Sequence, residues 1–392
     1  MQETSRTWRD SLAALVHPRV VTMLFLGVAA GLPLLLIFSS LSLWLREAGV
    51  ERSAVTFFSW AALGYSFKFV WAPLVDRLPI PVLTRALGRR RAWMLVAQGS
   101  IIGAILWMAF TDPAGGDLAL TTMAFAAVML GFSSATQDIV IDAYRIESAD
   151  RDLQAMMASA YIAGYRIGML VAGAGALYLA SWFGTERGGY DYTAWMYTYA
   201  IMASTMLIGV ITTLVVPEPE VYRDGDDEYS ARDYLGFLGM FLAAAVAFVL
   251  TFVFSAEAAG ALRGALGAML VNTHLAGFVV EAARLALAIA VAAVVVRLLV
   301  SSALVNRDMV AATYVAPIRD FFARYGVRFA LLLLALVGVY RISDIVLGVI
   351  SNVFYQDLGF SKDQIATVVK TFGLFMTILG GFLGGVLSVR FG

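Results

Sequence analysis

Long runs of apolar residues, separated by short polar segments, dominate the hydropathy pattern of this 392-residue chain. A helix that crosses the hydrocarbon core of a bilayer needs about 20 mostly apolar residues, and each run has roughly that length. The segment 257–275 is only semi-apolar and is compatible with a re-entrant or interfacial position. The pattern predicts about ten transmembrane helices, at 20–45, 54–75, 93–111, 119–146, 154–183, 193–216, 234–256, 276–300, 328–356 and 362–388.

Composition supports a membrane protein and argues against an enzyme. Hydrophobic residues make up 60% of the chain and charged residues 14%, whereas charged residues are about 25% of an ordinary soluble domain. The chain has no cysteine and two histidines, His17 and His274, which argues against thiolate chemistry and a histidine metal site. No HExxH motif or glycine-rich phosphate loop is present. We therefore expect no cofactor, no metal and no enzymatic activity.

The distribution of basic residues predicts the orientation of the chain. Arginines concentrate in the N-terminal segment, in the loop between the second and third apolar runs, and around 306–326, whereas the opposite loops hold few. Cytoplasmic loops carry the excess of Lys and Arg in membrane proteins. The polar, mixed-charge segment Met1 to Asp10 does not resemble a cleavable signal peptide. The N-terminus is therefore predicted to be cytoplasmic.

The polar stretch 217–233 is the clearest internal boundary, because six apolar runs precede it. Six helices, a linker and further helices are typical of two-bundle transporters with repeated halves. The residues from Ile318 to 326 form either a short amphipathic helix on the membrane face or a plain linker. Three parts are expected: a six-helix bundle at 1–216, a linker with two additional transmembrane helices (234–256 and 276–300) at 217–327, and the first two helices of an incomplete second bundle at 328–392. A chain with such an incomplete bundle is not expected to transport without the rest of the gene product.

A charged motif lies between the second and third apolar runs. Asp76 and Arg77 end the second run, and Gly88, Arg89 and Arg90 precede the third. An Asp at a helix end beside an arginine cluster can form charge-assisted hydrogen bonds that latch helices together at the cytoplasmic side. The alternative is ordinary positive-inside charge without a latch. This spacing resembles the signature loop of the major facilitator superfamily, with a longer spacer than usual.

Carboxylates inside the fourth apolar run are candidates for a transport pathway. Asp138, which follows Gln137, and Asp142 are four residues apart and lie on one face of a helix. Ionisable groups within a membrane are costly and mark a pathway or a relay by default. The alternative is that both carboxylates only pair with arginines.

The fifth run supplies a possible partner for Asp138. Asp138 and Arg166 each lie 14 residues from the turn near Asp152, so in an antiparallel hairpin both lie about 20 Å from that turn. We expect these two residues to face the central cavity as a pair that substrate or a proton breaks. Tyr165 adjoins Arg166 as a further candidate contact.

The last two runs offer a second charged group. Arg341 and Asp344 lie three residues apart in one run, and Lys370 lies in the next. Around a turn near Leu358, Asp344 and Lys370 fall at similar depth. An Asp344–Lys370 pair is therefore expected, serving either transport or structure alone.

Taken together, the motifs of 72–93, Gln137-Asp138, Asp142, 164–168 and Arg341-Asp344 resemble the AmpG-type muropeptide permeases of the major facilitator superfamily. The similarity is weakest across 217–305, where that family has two extra helices. The resemblance implies an all-α, two-bundle fold in the bacterial inner membrane and proton-coupled import of anhydro-muropeptides from periplasm to cytoplasm for cell-wall recycling. Another anionic cargo, such as an acyl-CoA or a siderophore, and a non-transporting paralogue are the alternatives.

The implied substrate carries carboxylates and sugar hydroxyls. Arg166, Arg341 and Lys370 are expected to bind carboxylates, and arginine offers a bidentate fork. Burial favours the neutral form of a carboxyl group, so Asp138 is the first candidate proton carrier and Asp344 the second. The expected partners are substrate, protons and the lipid bilayer, with no nucleic acid and a monomeric chain. The expected contacts to sugar and peptide groups are Gln137, Tyr161, Tyr165, Tyr340 and Asn352.

Overall fold

A computed structural model describes residues 13–50, 61–184, 190–219, 229–270, 273–358 and 372–391. Its long helices, numbered α1 to α6 in the first part, are Pro18–Glu47, Ala61–Arg77, Arg89–Ala109, Asp117–Ser148, Arg151–Leu170 with its continuation Ala176–Phe183, and Tyr192–Val215. The later ones, α7 to α11, are Ala231–Phe254, Ala256–Leu270, Thr273–Ser301, Ala316–Asp357 and Gly373–Phe391. Short helical segments are Ala14–Val16, Leu83–Leu87 and Arg307–Val310.

Within the described residues, each of the ten predicted apolar segments coincides with a helix. Among the described residues, eight helices are long and apolar enough to cross a membrane. The predicted span 54–75 matches α2 from Ala61 onwards, and its residues 54–60 lie outside the described residues. The last predicted span matches α11, where Phe375–Leu387 is apolar. The all-α, multi-pass membrane fold predicted from hydropathy is confirmed.

The chain forms two compact units, one of 1–222 with 341–392 and one of 223–340. The predicted boundaries after 216 and 327 stay predictions. Residues 257–270 of the semi-apolar segment lie in α8, whose 15 residues measure about 22 Å, less than the about 30 Å of a bilayer core. A re-entrant or interfacial position for this segment stays a prediction. The segment 306–326 is largely helical rather than a plain linker, and Gly326, with a φ of 72°, interrupts α10.

Within the first unit, α1 and α5 cross with their backbones almost in contact. A Cβ on Gly31 would lie 2.1 Å from the Tyr165 carbonyl oxygen, and one on Gly164 would lie 2.0 Å from the Leu24 carbonyl oxygen. Small residues permit this approach between membrane helices. The crossing fixes the position of the α5 turn that carries Tyr161, whose carbonyl oxygen lies against Gly27.

Both helices of this crossing contain a π-helical turn at the same level, Leu36–Ser40 in α1 and Val171–Gly175 in α5. The Ser40 hydroxyl donates a hydrogen bond of 2.9 Å to the Ala172 carbonyl oxygen and joins the two turns. Such a turn leaves backbone groups without their usual helical partners. The bond therefore satisfies one of those groups inside the bundle.

Aromatic side chains close the end of the first unit that carries the C-terminus of α1. The rings of Trp44 and Trp195 stack with centroids 5.6 Å apart and planes 4° apart. The Trp195 Nε1 donates to a Glu47 carboxylate oxygen at 2.7 Å, and Tyr199 donates to the Leu36 carbonyl oxygen at 2.8 Å. Trp44 is fully buried, so its role is packing rather than anchoring at the membrane interface.

The second unit contains α7, α8 and α9, with the start of α10. Arg284 of α9 donates to the Phe252 carbonyl oxygen at 2.7 Å, lies 4.6 Å from the centroid of the Phe252 ring, and pairs with Glu281. A cation within an apolar helix needs such partners. Here the C-terminal turn of α7 supplies the carbonyl that accepts from it.

Candidate functional site

A charged pair inside the first unit joins α2 to α4. The Lys68 Nζ lies 3.7 Å from the Asp138 Oδ2, and the Tyr161 hydroxyl donates to the Asp138 Oδ1 at 3.1 Å. Asp138 is 8% exposed. One carboxylate thus accepts from two helices, α2 and α5, while it is carried by a third. Tyr165 packs beside this group, with its ring centroid 6.0 Å from that of Tyr161.

The expected Asp138–Arg166 pair is wrong, because Lys68 holds the place expected for Arg166. Among the described residues, Arg166 forms no ion pair, and its side-chain contact is the Met169 sulfur at 4.0 Å. Equal distance from the turn is not sufficient for two residues to meet, because the angular position of each residue around its helix also decides which side chains are in contact. Arg166 follows Tyr161 by five residues and so lies about 140° around α5. Tyr161 faces Asp138, and Arg166 is exposed.

Lys68 is the residue that the sequence analysis missed. Two further polar contacts flank it along the α2–α4 interface: Tyr65 donates to Ser134 at 2.9 Å, and the Trp71 Nε1 donates to Thr136 at 3.1 Å. These contacts fix the register of the two helices and bring Lys68 level with Asp138. The signal in the sequence was a single lysine inside an apolar run, which is costly in a membrane unless it is paired.

The two polar neighbours of Asp138 on α4 have different surroundings. Asp142 pairs with Arg145 on its own helix, with 3.6 Å between carboxylate oxygen and guanidinium nitrogen, and its side chain is 51% exposed. Gln137 is fully buried, and neither amide atom forms a hydrogen bond within the part of the chain that the structure describes. A buried unpaired polar group costs about 1–3 kcal/mol, so Gln137 is an expensive residue at this position.

The arginine motif forms a second cluster at the end of α2, α3 and α4. The Arg90 guanidinium is buried and binds Glu147 through two bonds, Nε to Oε2 at 2.7 Å and Nη2 to Oε1 at 2.5 Å. Its remaining nitrogen binds the Asp76 Oδ1 at 2.6 Å. Arg90 therefore ties the ends of the three helices together, in the bidentate geometry that arginine provides.

Glu218, which follows α6, extends this cluster. Its two carboxylate oxygens accept from the backbone N–H groups of Arg90, at 2.7 Å, and Arg91, at 3.0 Å. A carboxylate at a helix N-terminus satisfies free donors and complements the helix dipole. Gly88 has a φ of 88°, and a Cβ there would lie 2.3 Å from the Glu218 side chain. The glycine of the motif is thus needed for both backbone shape and space.

Of the five residues expected in the cytoplasmic latch, the structure brings Asp76, Gly88 and Arg90 together. Arg89 begins α3 beside them. Arg77 ends α2 and forms no ion pair with a described residue. Glu147 and Glu218 were not anticipated, because each comes from a segment distant in sequence.

The second predicted charged group is only partly within the described residues. Arg341 and Asp344 lie on the helix α10, but their side chains are outside the description, as are those of 342–357. Lys370 also lies outside the described residues. The Asp344–Lys370 pair therefore stays a prediction.

Replacing Arg90 by glutamine is expected to destabilise the protein by about 3 kcal/mol. The substitution removes the guanidinium that binds Glu147, whose side chain is 14% exposed, and breaking a buried pair is strongly destabilising. Arg90→Lys should recover only part of the loss, because an ammonium cannot form the fork. The measurement is thermal unfolding of the purified protein in detergent. Arg85→Gln, an exposed change in the same loop, is the control, and an equal loss there would contradict the assignment.

The two clusters lie at different depths of the same helices. Lys68 precedes Arg77, the last residue of α2, by nine residues, and Asp138 precedes Ser148, the last of α4, by ten. At 1.5 Å per residue both are about 14–15 Å from the helix ends that Arg90 joins. This is about half the thickness of a bilayer core. The Lys68–Asp138 pair therefore lies about half a bilayer thickness from those helix ends.

The described residues form an all-helical, multi-pass arrangement with a buried ion pair between two of its helices, as expected of a membrane transporter. Comparison with known proteins supports this class. Residues 19–183 match the family model described as Acetyl-coenzyme A transporter 1. The chain is 29% identical to the Putative transporter AmpG 4 of Rickettsia conorii over 374 residues, which are 95% of this chain and 68% of that protein.

A second relative is the Anhydromuropeptide permease of Escherichia coli (strain K12). It is 29% identical over 376 residues, 95% of this chain, and the chain spans 56% of its length. The resemblance to AmpG-type permeases inferred from the motifs is thereby confirmed. These relatives are named as transporters and permeases, and neither is named as an enzyme.

Proposed function

We propose that the complete protein is a proton-coupled secondary transporter that imports anhydro-muropeptides from periplasm to cytoplasm. It would act as a monomer in the bacterial inner membrane with its N-terminus in the cytoplasm. The observation that carries the proposal is the Lys68–Asp138 pair, about half a bilayer thickness from the helix ends, in a chain that is similar, over 95% of its length, to an anhydromuropeptide permease. Ionisable groups at that depth mark a pathway or a relay.

Asp138 is the proposed proton carrier. Burial disfavours its charged form, whereas Lys68 and Tyr161 stabilise that form by a charge and a hydrogen bond. A group balanced between these effects can gain and lose a proton when one partner moves. Asp344 is the second proposed carrier, in the part of the chain that follows the linker.

Substrate carboxylates are proposed to bind cationic side chains along the pathway. Arg166 is exposed and without an ion pair among the described residues, and an arginine facing lipid at this depth would be costly. Its guanidinium therefore suits a water-filled pathway and offers a bidentate fork. Arg341 and Lys370 would complement it from the later helices.

Sugar and peptide groups are proposed to bind neutral donors and acceptors near Asp138. The amide of Gln137, unsatisfied within the described residues, and the hydroxyl of Tyr165 are the first candidates. A conformation of the transport cycle that opens this part of α4 would let Gln137 recover the hydrogen bonds it lacks. Asp142, with its half-exposed carboxylate, would lie towards the cytoplasmic exit.

The cytoplasmic latch is proposed to stabilise one conformation of the transport cycle. It comprises Asp76, Arg77, Gly88, Arg89 and Arg90, to which Glu147 and Glu218 are added here. The Arg90 bonds to Asp76 and Glu147 support the proposal, because they join the ends of the two helices that carry Lys68 and Asp138.

A second cargo class is an acyl-CoA, and the match of 19–183 to the Acetyl-coenzyme A transporter 1 model favours it. Both cargoes are anionic, so charge alone does not separate them. A siderophore is a third anionic possibility, which no finding on this chain favours.

Uptake by cells that express the complete gene distinguishes these cargoes. Labelled anhydro-muropeptide should accumulate in spheroplasts, and unlabelled muropeptide should compete while acetyl-CoA at the same concentration should not. Cells with the empty vector are the control. Competition by acetyl-CoA alone, with no muropeptide accumulation, would contradict the proposed cargo and favour the second class.

A further inference from the structure

We propose that Lys68 is a counter-ion shared by Asp138 and the substrate. When substrate binds, Lys68 moves from Asp138 to a substrate carboxylate, and Asp138 then takes up a proton. The inference deepens the proposed function and rests on it, because it assumes an anionic substrate in the pathway beside α2 and α4. It assigns coupling to a residue of α2, outside the motifs that the sequence analysis singled out.

The geometry of the pair leaves Lys68 free to take a second acceptor. The two charged atoms are 3.7 Å apart, longer than the about 2.7–2.9 Å of a tight charge-assisted hydrogen bond. An ammonium has three donors, and Lys68 forms no other polar contact with the residues that the structure describes. The Lys68 side chain is 37% exposed, whereas that of Asp138 is 11% exposed. An incoming carboxylate therefore reaches Lys68 before it reaches Asp138.

The proposal places the exposed side of Lys68 against water rather than lipid. The residue lies about 14 Å from the end of α2, and an ammonium facing hydrocarbon at that depth would be costly. Lysine is also suited to this exchange, since its charge is compact and its stem is flexible, whereas an arginine fork fixes one geometry. Lys68 can move between two acceptors with little displacement of the α2 backbone.

Charge balance then fixes the proton step. When Lys68 binds a substrate carboxylate, Asp138 keeps the Tyr161 hydrogen bond but loses its cation. An ionised carboxylate left buried without a cation costs several kcal/mol, so Asp138 takes a proton from the pathway, and the site gains one anion and one proton together. The other titratable groups that face or adjoin Asp138 are hydroxyls and one further carboxylate: Tyr65, Tyr161, Tyr165 and Asp142.

Within the part of the chain that the structure describes, Arg166 differs from Lys68 in having no carboxylate to release when a substrate anion binds it. It has no carboxylate partner among the described residues, so a substrate anion that binds it releases no carboxylate and requires no proton. Loss of Arg166 should therefore weaken binding without changing the protons taken up per bound molecule. Loss of Lys68 should change that ratio itself.

The test measures binding and proton uptake together on the complete purified protein, by titrating anhydro-muropeptide in weakly buffered solution with a pH indicator. The wild type should take up about one proton per bound molecule, because one buried carboxylate loses its cation. Lys68→Gln should take up none, since Asp138 is then already protonated. Arg166→Gln should keep the wild-type ratio at weaker affinity. An unchanged ratio in Lys68→Gln would overturn the inference.

Infrared spectra of the unliganded proteins separate this inference from the proposed cargo. The carbonyl stretch of a protonated Asp138, identified by its loss in Asp138→Asn, should be present in Lys68→Gln and absent in the wild type and in Lys68→Arg. If the wild type binds no muropeptide, the proposed cargo fails, and the spectra alone decide whether Lys68 controls this proton. An ionised Asp138 in Lys68→Gln would overturn the inference regardless of cargo.

Discussion

Asp138→Asn is expected to abolish accumulation of substrate against its gradient while exchange of substrate across the membrane persists. Asparagine keeps the shape of the side chain and can still accept from Tyr161, but it cannot gain or lose a proton. Without a titrating group beside Lys68, a proton gradient can no longer drive uptake. The measurement is a pair of assays on proteoliposomes, net uptake under an imposed proton gradient and exchange at equal pH.

Asp117→Asn is the matched control, because Asp117 is an exposed carboxylate at the opposite end of the same helix. That variant should accumulate substrate like the wild type. If Asp138→Asn accumulated substrate normally, Asp138 would not be the carrier, and Asp344 would be the next candidate.

Gly31→Ala is expected to destabilise the protein by at least about 1–3 kcal/mol, the usual cost of inserting a methyl group into a packed interior. The added Cβ would lie 2.1 Å from the Tyr165 carbonyl oxygen, a backbone atom that no rotamer change can move. The helices α1 and α5 must separate, which also displaces Tyr161 from Asp138. We expect a lower unfolding temperature in detergent together with weaker uptake.

Gly103→Ala, in α3, is the control for this change. A Cβ at Gly103 meets no other atom within 4 Å, so the substitution should be neutral or favourable by up to about 1 kcal/mol through helix propensity. Equal unfolding temperatures for the two variants would show that the α1–α5 crossing is looser than the glycine contacts indicate.

The helices were predictable because the bilayer imposes one simple requirement on every spanning segment. Apolar runs of about 20 residues must be helical, since the backbone has no other partner in lipid. The limits of α4, Asp117–Ser148, differ by only two residues at each end from the predicted 119–146. The segment 257–275 is only semi-apolar, and most of it forms α8, a helix of 15 residues that is too short to span a bilayer core upright.

The partner of Asp138 was not predictable from the same pattern. Depth counted from a turn compares only helices that are adjacent in the chain, and α5 was the available neighbour of α4. The contact with α2 depends on how the bundle closes and on the phase of each helix, which hydropathy does not fix. Lys68 nevertheless carried a signal of its own as a single cation in an apolar run.

The latch also combines residues that the sequence predicts with residues that it does not. The motif with Asp76 and Arg90 was evident because those residues lie close together in sequence. Glu147 and Glu218 lie 57 and 128 residues from Arg90, and an isolated glutamate near a helix end carries no pattern of its own. Their roles follow only from the packing of α2, α3, α4 and the segment after α6.

The most direct test of proton-coupled import is uptake of labelled anhydro-muropeptide by proteoliposomes that contain the complete protein. We predict concentrative uptake when the outside is made acidic, and its collapse to simple equilibration when a protonophore is added. Uptake to the same level with and without the proton gradient would contradict the account.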